Sequence, residues 1–250
     1  LGESKNNKMQ IKSPNISFEI DQQSYLLERD YRILAQATPL DMKVLDSIYA
    51  KPCQYLNEKS EWSLGIVTGN NKEKLSNIKL EGMEGILKGS DIKKYTFAKP
   101  TNYLFFRPES FQQFSSLDLS QRQSKLIYRF ISKKLVFAID NTMLRTLNSA
   151  NMLVPNLPGY SNYVVMAFLN SRLFQFIHDK KFSTFKILKG NLMQMPFPLI
   201  SKELHANIEE KVLVLCDSES EYSDELEELI FDAFDLSIEH RIHIRRETEN

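Results

Sequence analysis

The spacing of apolar residues changes along this chain, and that change limits the fold more than any other feature of the sequence. Before residue 160 the apolar residues come in short runs, such as Leu135 to Ile139, which are typical of buried β-strands. After Ser161 they recur at helical spacing, at Val165, Phe168, Leu169, Leu173, Phe176 and Ile177. The chain is therefore expected to combine a strand-rich part with a helical part.

Individual elements follow from the same patterns. A helix is predicted over Asp41 to Leu56, and a strand over Trp62 to Thr68 ends at a turn around Gly69. Further strands are predicted over 102–107, 126–130, 135–139 and 143–147. One long amphipathic helix follows Ser161, and two or three helices follow residue 200. The predicted fold class is α+β: a mixed, strand-rich body with a long packed helix, then a C-terminal helical subdomain.

The net charge of zero conceals a strong segregation of charge. The segment from Lys88 to Met195 holds sixteen Lys and Arg against five Asp and Glu, a net charge of +11. The segment from Pro196 to Asn250 holds five against fifteen, a net charge of −10. A block this basic within a chain predicts a positive surface that attracts polyanions. The alternative is that the basic face pairs with the acidic tail or with an acidic neighbouring domain.

The cations of the basic segment alternate with aromatic residues instead of forming one run. A continuous basic run would indicate a disordered nucleic-acid-binding arm, whereas cations that punctuate strands indicate a folded surface. Lys and Arg contact phosphates, and Arg, Asn and Gln can read base edges in the major groove. The aromatic residues are more often part of a core than platforms for base stacking.

Several kinds of catalytic motif are absent from the sequence. It has no Walker-type phosphate loop, no Gly-x-Gly-x-x-Gly and no Gly-x-Ser-x-Gly. It also lacks the Asn/Asp-Pro-Pro-Tyr/Phe tetrapeptide of adenine methyltransferases and a complete nuclease motif. The pair His240 and His243 has no further metal ligands nearby in the sequence and indicates a solvated helix face. No catalytic residue, cofactor site or metal site is therefore predicted within this chain.

The two cysteines, Cys53 and Cys216, lie far apart and fit no metal-ligand spacing, so they indicate reduced residues of a cytoplasmic protein. No apolar run approaches the roughly 20 residues of a membrane span, so no membrane partner is expected. The sequence from Leu1 to Lys8 does not resemble a signal peptide and lacks an initiator Met. We therefore expect a piece of a longer protein.

Six segments, in this order along the chain, resemble the TaqI-like C-terminal specificity domain. That family comprises the target-recognition domains of adenine-N6 DNA methyltransferases and of fused type II restriction–modification enzymes. The similarity covers about residues 62–200, and the helical sequence from Leu226 to Leu236 also resembles the ending of such enzymes. The six segments are Gly65–Lys72, Leu87–Tyr95, Lys125–Asp140, Leu147–Asn151, Ala167–Leu173 and Leu192–Pro198.

The resemblance implies a DNA target-recognition domain over 62–200, a linker and helix from a catalytic domain over 1–61, and an acidic helical segment over 201–250. It implies double-stranded DNA and a methyltransferase or nuclease domain of the same polypeptide as partners. It implies no cofactor in this chain; S-adenosylmethionine, and Mg²⁺ for cleavage, would be cofactors of the longer enzyme to which the chain belongs. The alternative is a protein-interaction module, similar to a specificity subunit, whose basic face and C-terminal helices dock partner subunits. The candidate DNA-binding residues are Thr68, Asn70, Asn71, Lys72, Lys88, Lys93, Lys94, Arg107, Arg122, Arg129, Lys133, Lys134, Arg145, Lys180, Lys181, Lys186 and Lys189.

Overall fold

The computed structural model of the protein describes residues 8–13, 16–21, 37–56, 59–182, 184–218 and 220–249. The strands are β1 (Lys8–Ser13), β2 (Ile16–Asp21), β3 (Cys53–Gln54), β4 (Glu61–Ser63), β5 (Glu84–Leu87), β6 (Asn102–Leu104), β7 (Lys125–Arg129), β8 (Phe137–Asp140), β9 (Arg145–Thr146), β10 (Ala150–Val154) and β11 (Phe197–Pro198). The helices are α1 (Pro39–Tyr49), α2 (Asn71–Lys74), α3 (Asn162–Asn170), α4 (Arg172–Lys181), α5 (Lys189–Leu192), α6 (Lys202–Cys216), α7 (Asp224–Ala233) and α8 (Ile238–Glu247). The predicted α+β class is confirmed.

Two small sheets carry the loops of the strand-rich body. The larger has the strand order β4-β10-β7-β8 and is antiparallel throughout. The smaller has the order β6-β5-β9, in which β5 and β6 are antiparallel and β5 and β9 are parallel. β9 and β10 follow each other in the chain but belong to different sheets, so residues 147–149 cross between the sheets and bring the loops of both together.

The core lies around helix α3, which packs against β8 and β7 on one side and against α6 on another. Residues Val164 to Leu169 are all fully buried, so no face of this stretch is left for solvent. The largest cluster of buried apolar residues includes Leu45 from α1, Leu126 from the sheet and Ile230 from α7. The segments over 37–49, 62–200 and 201–249 therefore share one core.

The predicted long helix is two helices. Ser171 is extended (φ −69°, ψ 157°); its hydroxyl donates to the carbonyl of Phe168 and accepts the N–H of Phe174. One serine thus ends α3 and caps the start of α4. The buried carboxylate of Glu227, on α7, also accepts the N–H of Arg172, at 3.0 and 3.1 Å. The apolar stripe continues across the break, which is why the sequence did not reveal it.

The observed strands are shorter than the predicted ones. The prediction over Trp62 to Thr68 yields only β4, and the one over 143–147 yields only β9, which begins after Met143 (φ 60°). Residues beyond these short strands take part in single bridges, such as the parallel bridge of Ile66 with Leu147. They still form sheet-like hydrogen bonds but build connections between the two sheets. Ser237 caps the start of α8, since its hydroxyl accepts the N–H of His240.

A buried polar cluster fastens α1 to α4 and α8. The carboxylate of Asp41 lies 2.7 Å from Nε2 of His243 and 3.0 Å from the Lys180 ammonium, and it accepts the N–H of Thr38. Burial raises the pKa of Asp41, but these hydrogen bonds and the charge of Lys180 lower it below its usual value overall. The helix that precedes the strand-rich body is thereby fixed to the C-terminal helices. Among the described helices, none has the length and apolar character needed to cross a bilayer.

Candidate nucleic-acid interface

A compact polar turn runs from Thr68 to Lys72. The Asn70 side chain accepts the N–H of Lys72 and so caps the short helix α2. The buried hydroxyl of Thr68 donates to Oδ1 of Asn71 at 2.5 Å. The Lys74 ammonium donates to the carbonyl of Thr68 at 2.8 Å and also to that of Ser110. The conformation of the turn is therefore held from inside, and Asn70, Asn71 and Lys72 remain exposed.

This turn forms one wall of an open pocket of about 340 Å³. Gln112 and Asn148 come from two other loops and also line this pocket. Gly69 has φ +84°, a conformation that favours glycine and that lets the turn approach Gln112. Four side-chain amides and one ammonium thus converge on one cavity. Asn and Gln amides can donate and accept together, which suits them to reading the edge of a base.

Backbone hydrogen bonds place the neighbouring loops in a row beside this pocket. The N–H of Asn148 donates to the carbonyl of Ile66 at 3.0 Å, which fixes residue 148 next to the Thr68 turn. The adjacent Ser149 accepts the N–H of Gly89 at its hydroxyl and the N–H of Phe130 at its carbonyl, both at 2.9 Å. The loops that begin at Lys88 and at Phe130 are thereby brought together, although more than 40 residues separate them in the sequence.

The row continues through a short antiparallel ribbon. The N–H of Ile187 donates to the carbonyl of Phe130 at 2.8 Å, and the N–H of Ser132 donates to that of Phe185 at 3.0 Å. Arg129 reaches back from the same end of β7, since its Nε donates to the carbonyl of Ile92 at 2.8 Å. We call the lysines along this row the basic belt, which consists of Lys72, Lys88, Lys93, Lys133, Lys134, Lys186 and Lys189.

The ammonium groups of the basic belt have no acidic partner among the residues that the structure describes. All are exposed except Lys88, which is half-buried. Three lie over aromatic rings: Lys133 over Phe185 at 5.2 Å, Lys186 over Phe130 at 5.8 Å and Lys189 over Trp62 at 5.7 Å from the ring centres. Cations in this position keep their charge and most of their hydration, so they are available to an anionic ligand.

Several of the other predicted cations are turned toward partners within the chain. The Lys94 ammonium donates to the carbonyl of Asn170 at 2.5 Å, and burial lowers the pKa of Lys94 while the charge of Glu227 opposes that shift. Lys180 pairs with Asp41 and Glu247, and Lys181 lies 4.2 Å from the ring centre of Tyr49. These contacts favour structural roles. Arg122 is exposed but pairs with Glu61 at 2.8 Å, and Arg107 is exposed over the Phe105 ring.

Arg145 is the most enclosed of the predicted DNA-binding cations. Its guanidinium pairs with Glu84 at 2.6 Å and with Asp118 at 2.7 Å, donates to the Ser120 hydroxyl and lies 3.3 Å from the centre of the Phe106 ring. Burial raises the pKa of Asp118, but its hydrogen bonds to Ser120 and Arg145 lower it overall. The planar guanidinium holds β9 to two other segments, a geometry that a lysine cannot reproduce.

Replacement of Arg145 by Lys is therefore expected to lower the free energy of unfolding by about 1–3 kcal/mol, because a single ammonium cannot take the positions of the two guanidinium nitrogens that bond Glu84 and Asp118. Chemical denaturation monitored by circular dichroism measures the change. Replacement of the exposed Arg107 by Lys is the matched control and should leave stability within about 0.5 kcal/mol. A variant at Arg145 that unfolds like the wild type but binds DNA more weakly would assign this residue to the ligand instead of to the fold.

Comparison with known proteins identifies the strand-rich body. Residues 84–197 match the model of the TaqI-like C-terminal specificity domain. This segment, which is less than half of the chain, is similar to that family. The match includes the helices α3 to α5 and ends within β11, so the resemblance predicted from the sequence is confirmed.

Solved structures agree with this specificity domain in fold. The type IIG restriction endonuclease BpuSI has a TM-score of 0.55 at 12% identity, over 85% of this chain and 32% of the endonuclease. The type IIL restriction-modification enzyme MmeI, solved in complex with DNA, has a TM-score of 0.54 at 10% identity, over 99% of this chain and 41% of the enzyme. The chain thus spans less than half the length of either enzyme. No curated protein matches it in sequence.

Two glycines allow close approach between backbones in the strand-rich body. A Cβ on Gly65 would lie 2.1 Å from the carbonyl oxygen of Leu147, and one on Gly89 would lie 2.4 Å from that of Ser149. Both contacts join the crossing segment 147–149 to a loop of the interface. Gly65 and Gly89 therefore set the spacing between the loops.

Asn170, in the segment Ala167–Leu173, has a structural role in this chain. Its amide accepts the N–H of Phe137 at 2.8 Å and donates to the carbonyl of the same residue at 2.9 Å. Asn170 thus occupies both main-chain groups of Phe137, on β8. The main-chain carbonyl of Asn170 also accepts a hydrogen bond from the Lys94 ammonium. Asn170 thus joins the break between α3 and α4 to the sheet and to the loop that precedes Tyr95.

Sequence reasoning missed Gln112 and Asn148 as interface residues. Both are neutral and therefore contributed nothing to the charge argument. Asn148 lies in the segment Leu147–Asn151 that supports the family resemblance, but no role was attached to it. The residues that the structure describes contain no cluster of three or more His, Cys, Asp or Glu side chains able to hold a metal ion.

Proposed function

We propose that this chain is the sequence-specific DNA-recognition part of a restriction–modification enzyme. The observation that carries the proposal is the basic belt: seven lysines without described acidic partners lie along contiguous loops of a specificity domain. Duplex DNA carries about one negative charge per 1.7 Å of helix axis, so a row of cations is complementary to its backbone.

Two parts of the surface have different tasks in this proposal. The lysines of the basic belt contact phosphates and fix the position of the duplex, which is independent of sequence. The pocket around Asn71, Gln112 and Asn148 presents amides to base edges, and an Asn or Gln amide pairs well with the N6 and N7 atoms of adenine. Affinity then rests mainly on the belt and discrimination mainly on the pocket.

The chain acts within a larger cytoplasmic enzyme in this proposal. A catalytic domain of the same polypeptide, outside these 250 residues, performs adenine-N6 methylation with S-adenosylmethionine, and Mg²⁺ serves the enzyme where it also cleaves DNA. The specificity domain places the target base where the catalytic domain can extrude it from the stack. Residues 1–61 provide the connection, residues 62–200 the recognition domain and residues 201–250 the acidic helical segment.

Binding of the chain to duplex DNA over a range of salt concentrations tests the proposal. With six to eight phosphate contacts, the logarithm of the binding constant is expected to fall with the logarithm of salt concentration at a slope of about −5 to −7. Fluorescence anisotropy with a labelled 30-base-pair pool of random sequence, followed by selection from that pool, measures the slope and the preferred site. Absence of binding at low salt, or binding that ignores salt, contradicts the proposal.

A protein-docking role is the second candidate, and exposed apolar residues on the C-terminal helices favour it. Leu213 and Val214 are exposed on α6, and Ile238 and Ile242 are exposed one turn apart on α8. A partner subunit that covered these side chains would remove them from water. Sedimentation of the chain at increasing concentration, with and without DNA, tests this candidate: a stable oligomer that does not respond to DNA supports docking.

A further inference from the structure

The turn from Thr68 to Lys72 has both of its side-chain amide oxygens engaged within the protein. The hydroxyl of the buried Thr68 donates to Oδ1 of Asn71 at 2.5 Å, which turns that oxygen toward the protein. The main-chain N–H of Lys72 donates to Oδ1 of Asn70 at 3.2 Å. An Asn amide carries its acceptor oxygen and its donor nitrogen on opposite branches. The two amide nitrogens are therefore the groups left for a ligand.

The side of the pocket that this turn forms consists of hydrogen-bond donors. Among the residues that the structure describes, none accepts a hydrogen bond from the side-chain nitrogens of Asn70 and Asn71, and both side chains are exposed. The exposed ammonium of Lys72 is a third donor group beside them. None of the described residues that line the pocket is acidic. A ligand that meets the turn must therefore offer acceptors.

Gln112 and Asn148 differ from the turn in this respect. Neither side chain makes a hydrogen bond with another described residue, so each amide keeps a free acceptor as well as its donors. Pairing with adenine, which needs one donor and one acceptor, is open to these two amides. It does not suit the turn, whose oxygens are already used. The pocket thus contains two kinds of amide with different complements.

Guanine is the base whose major-groove edge matches a row of donors. Its N7 and O6 atoms are both acceptors, whereas adenine pairs an acceptor with a donor, cytosine offers a donor and thymine sets a methyl group beside its single acceptor. Phosphate oxygens are acceptors too, but cations are their usual partners. Two of the three donor groups here are neutral amides inside a pocket, which favours a base edge over a phosphate.

We propose that the turn from Asn70 to Lys72 recognises a guanine through N7 and O6, and that the Thr68 hydroxyl sets this preference by fixing the Asn71 amide. This inference rests on the proposed function, because it requires the chain to bind DNA in a sequence-specific way. It adds the identity of one base and the residues that select it. Thr68 is a positioning residue, since it is buried and acts through Asn71.

The variant Asn71→Asp tests the direction of the hydrogen bond. It keeps an oxygen for the Thr68 hydroxyl but replaces the outward amide nitrogen by a second acceptor. Selection from the random duplex pool is expected to yield a guanine at one position with the wild type. The variant is expected to favour cytosine there by roughly tenfold, because a carboxylate accepts from N4 of cytosine. Asn207→Asp, the same change at an exposed position on α6, is the matched control and should select the wild-type site.

The variant Thr68→Val tests the buried hydroxyl. It leaves the pocket-lining amides in place but frees the oxygen of Asn71, so this amide can pair with adenine as well. The preference for guanine over adenine at the selected position is expected to fall from roughly tenfold to about twofold, with the salt slope unchanged. Circular dichroism melting verifies folding. If this buried substitution prevents folding, the exposed Asn71→Asp still decides.

Base analogues test the contact from the side of the DNA. In the selected site, 7-deazaguanine removes the N7 acceptor and is expected to weaken wild-type binding by roughly tenfold. Inosine keeps N7 and O6 and lacks only the amino group of the minor groove, so it is the matched control and should bind like guanine. Fluorescence anisotropy with the full chain measures both.

The possible results separate this inference from the proposed function. A selected site in which no guanine responds to the 7-deaza substitution overturns the inference and leaves sequence-specific DNA binding standing. If Asn71→Asp weakens binding to all sequences equally and reduces the salt slope, Asn71 contacts a phosphate and the inference is wrong. Failure of the wild-type chain to select any sequence overturns both.

Discussion

Replacement of Lys133, Lys134, Lys186 and Lys189 together by Gln is expected to weaken binding to duplex DNA by roughly 10²- to 10³-fold at about 0.15 M salt. Each lost phosphate contact removes about 0.9 from the slope of the logarithm of the binding constant against that of the salt concentration, so four lost contacts reduce it by about 3 to 4. Because none of the four ammonium groups has a described acidic partner, their removal leaves no buried charge behind.

Lys43 and Lys202 provide the matched control for this variant. Both are exposed lysines on helices, on α1 and α6, and neither belongs to the basic belt. Their replacement by Gln removes positive charge from the chain, so it should produce only the small change expected from net charge. Anisotropy titrations at four salt concentrations measure affinity and slope together. If the four belt lysines can be neutralised without a change in slope, the belt is not the phosphate-contacting surface.

Replacement of Asp140 by Ala is expected to lower the free energy of unfolding by about 3–5 kcal/mol. Asp140 is fully buried at the end of β8, and its carboxylate accepts four hydrogen bonds, from the Lys125 ammonium, from the N–H and hydroxyl of Thr142 and from the N–H of Leu144. Its removal leaves the fully buried Lys125 ammonium without its carboxylate and the part-buried N–H groups of Thr142 and Leu144 without their acceptor. Urea denaturation at pH 7 measures the loss.

The variant Lys125→Met separates the two members of this pair. Lys125 is also fully buried and donates to the carbonyl of Ser120, and burial lowers its pKa although Asp140 opposes that shift. After Lys125→Met, the carboxylate still accepts from Thr142 and Leu144, and methionine fills a similar volume. The variant should therefore lose clearly less stability than Asp140→Ala. An equal or larger loss would show that the ammonium, and not the carboxylate, is the centre of the network.

The helical half of the fold was predictable from the sequence because helices form from local spacing. Apolar residues recur at helical spacing over 204–215 and 226–234, which correspond to α6 and α7, and serines cap the starts of α3, α6 and α8. The break at Ser171 was not predictable, since it depends on a carboxylate that α7 supplies from more than 50 residues away. Strand lengths were overestimated for a similar reason: several apolar runs end at crossings between two sheets.

The charges of the side chains in the candidate site were predictable from the sequence, but the directions in which those side chains extend were not. The sequence indicated which residues are cations, yet a lysine on a short strand or loop can extend outward or fold back toward a carbonyl. Lys93 and Lys94 illustrate this: the first is exposed and the second donates to Asn170. Arg145 has partners from two other segments, and none of them is near it in the sequence. Only the three-dimensional arrangement separates such residues from the belt.

The loops of the interface are joined to one another mainly through main-chain groups. Three of these joints are hydrogen bonds from a main-chain N–H to a main-chain carbonyl: Asn148 to Ile66, Phe130 to Ser149 and Ile187 to Phe130. The close approaches at Gly65 and Gly89 are likewise to main-chain carbonyl oxygens. Such joints place no demand on the identity of the side chains that face outward. Lys72, Gln112 and Asn148 can therefore be exchanged for other residues while the scaffold persists, and under the proposed function a combinatorial library at Gln112 and Asn148 is expected to yield variants with altered target sequences.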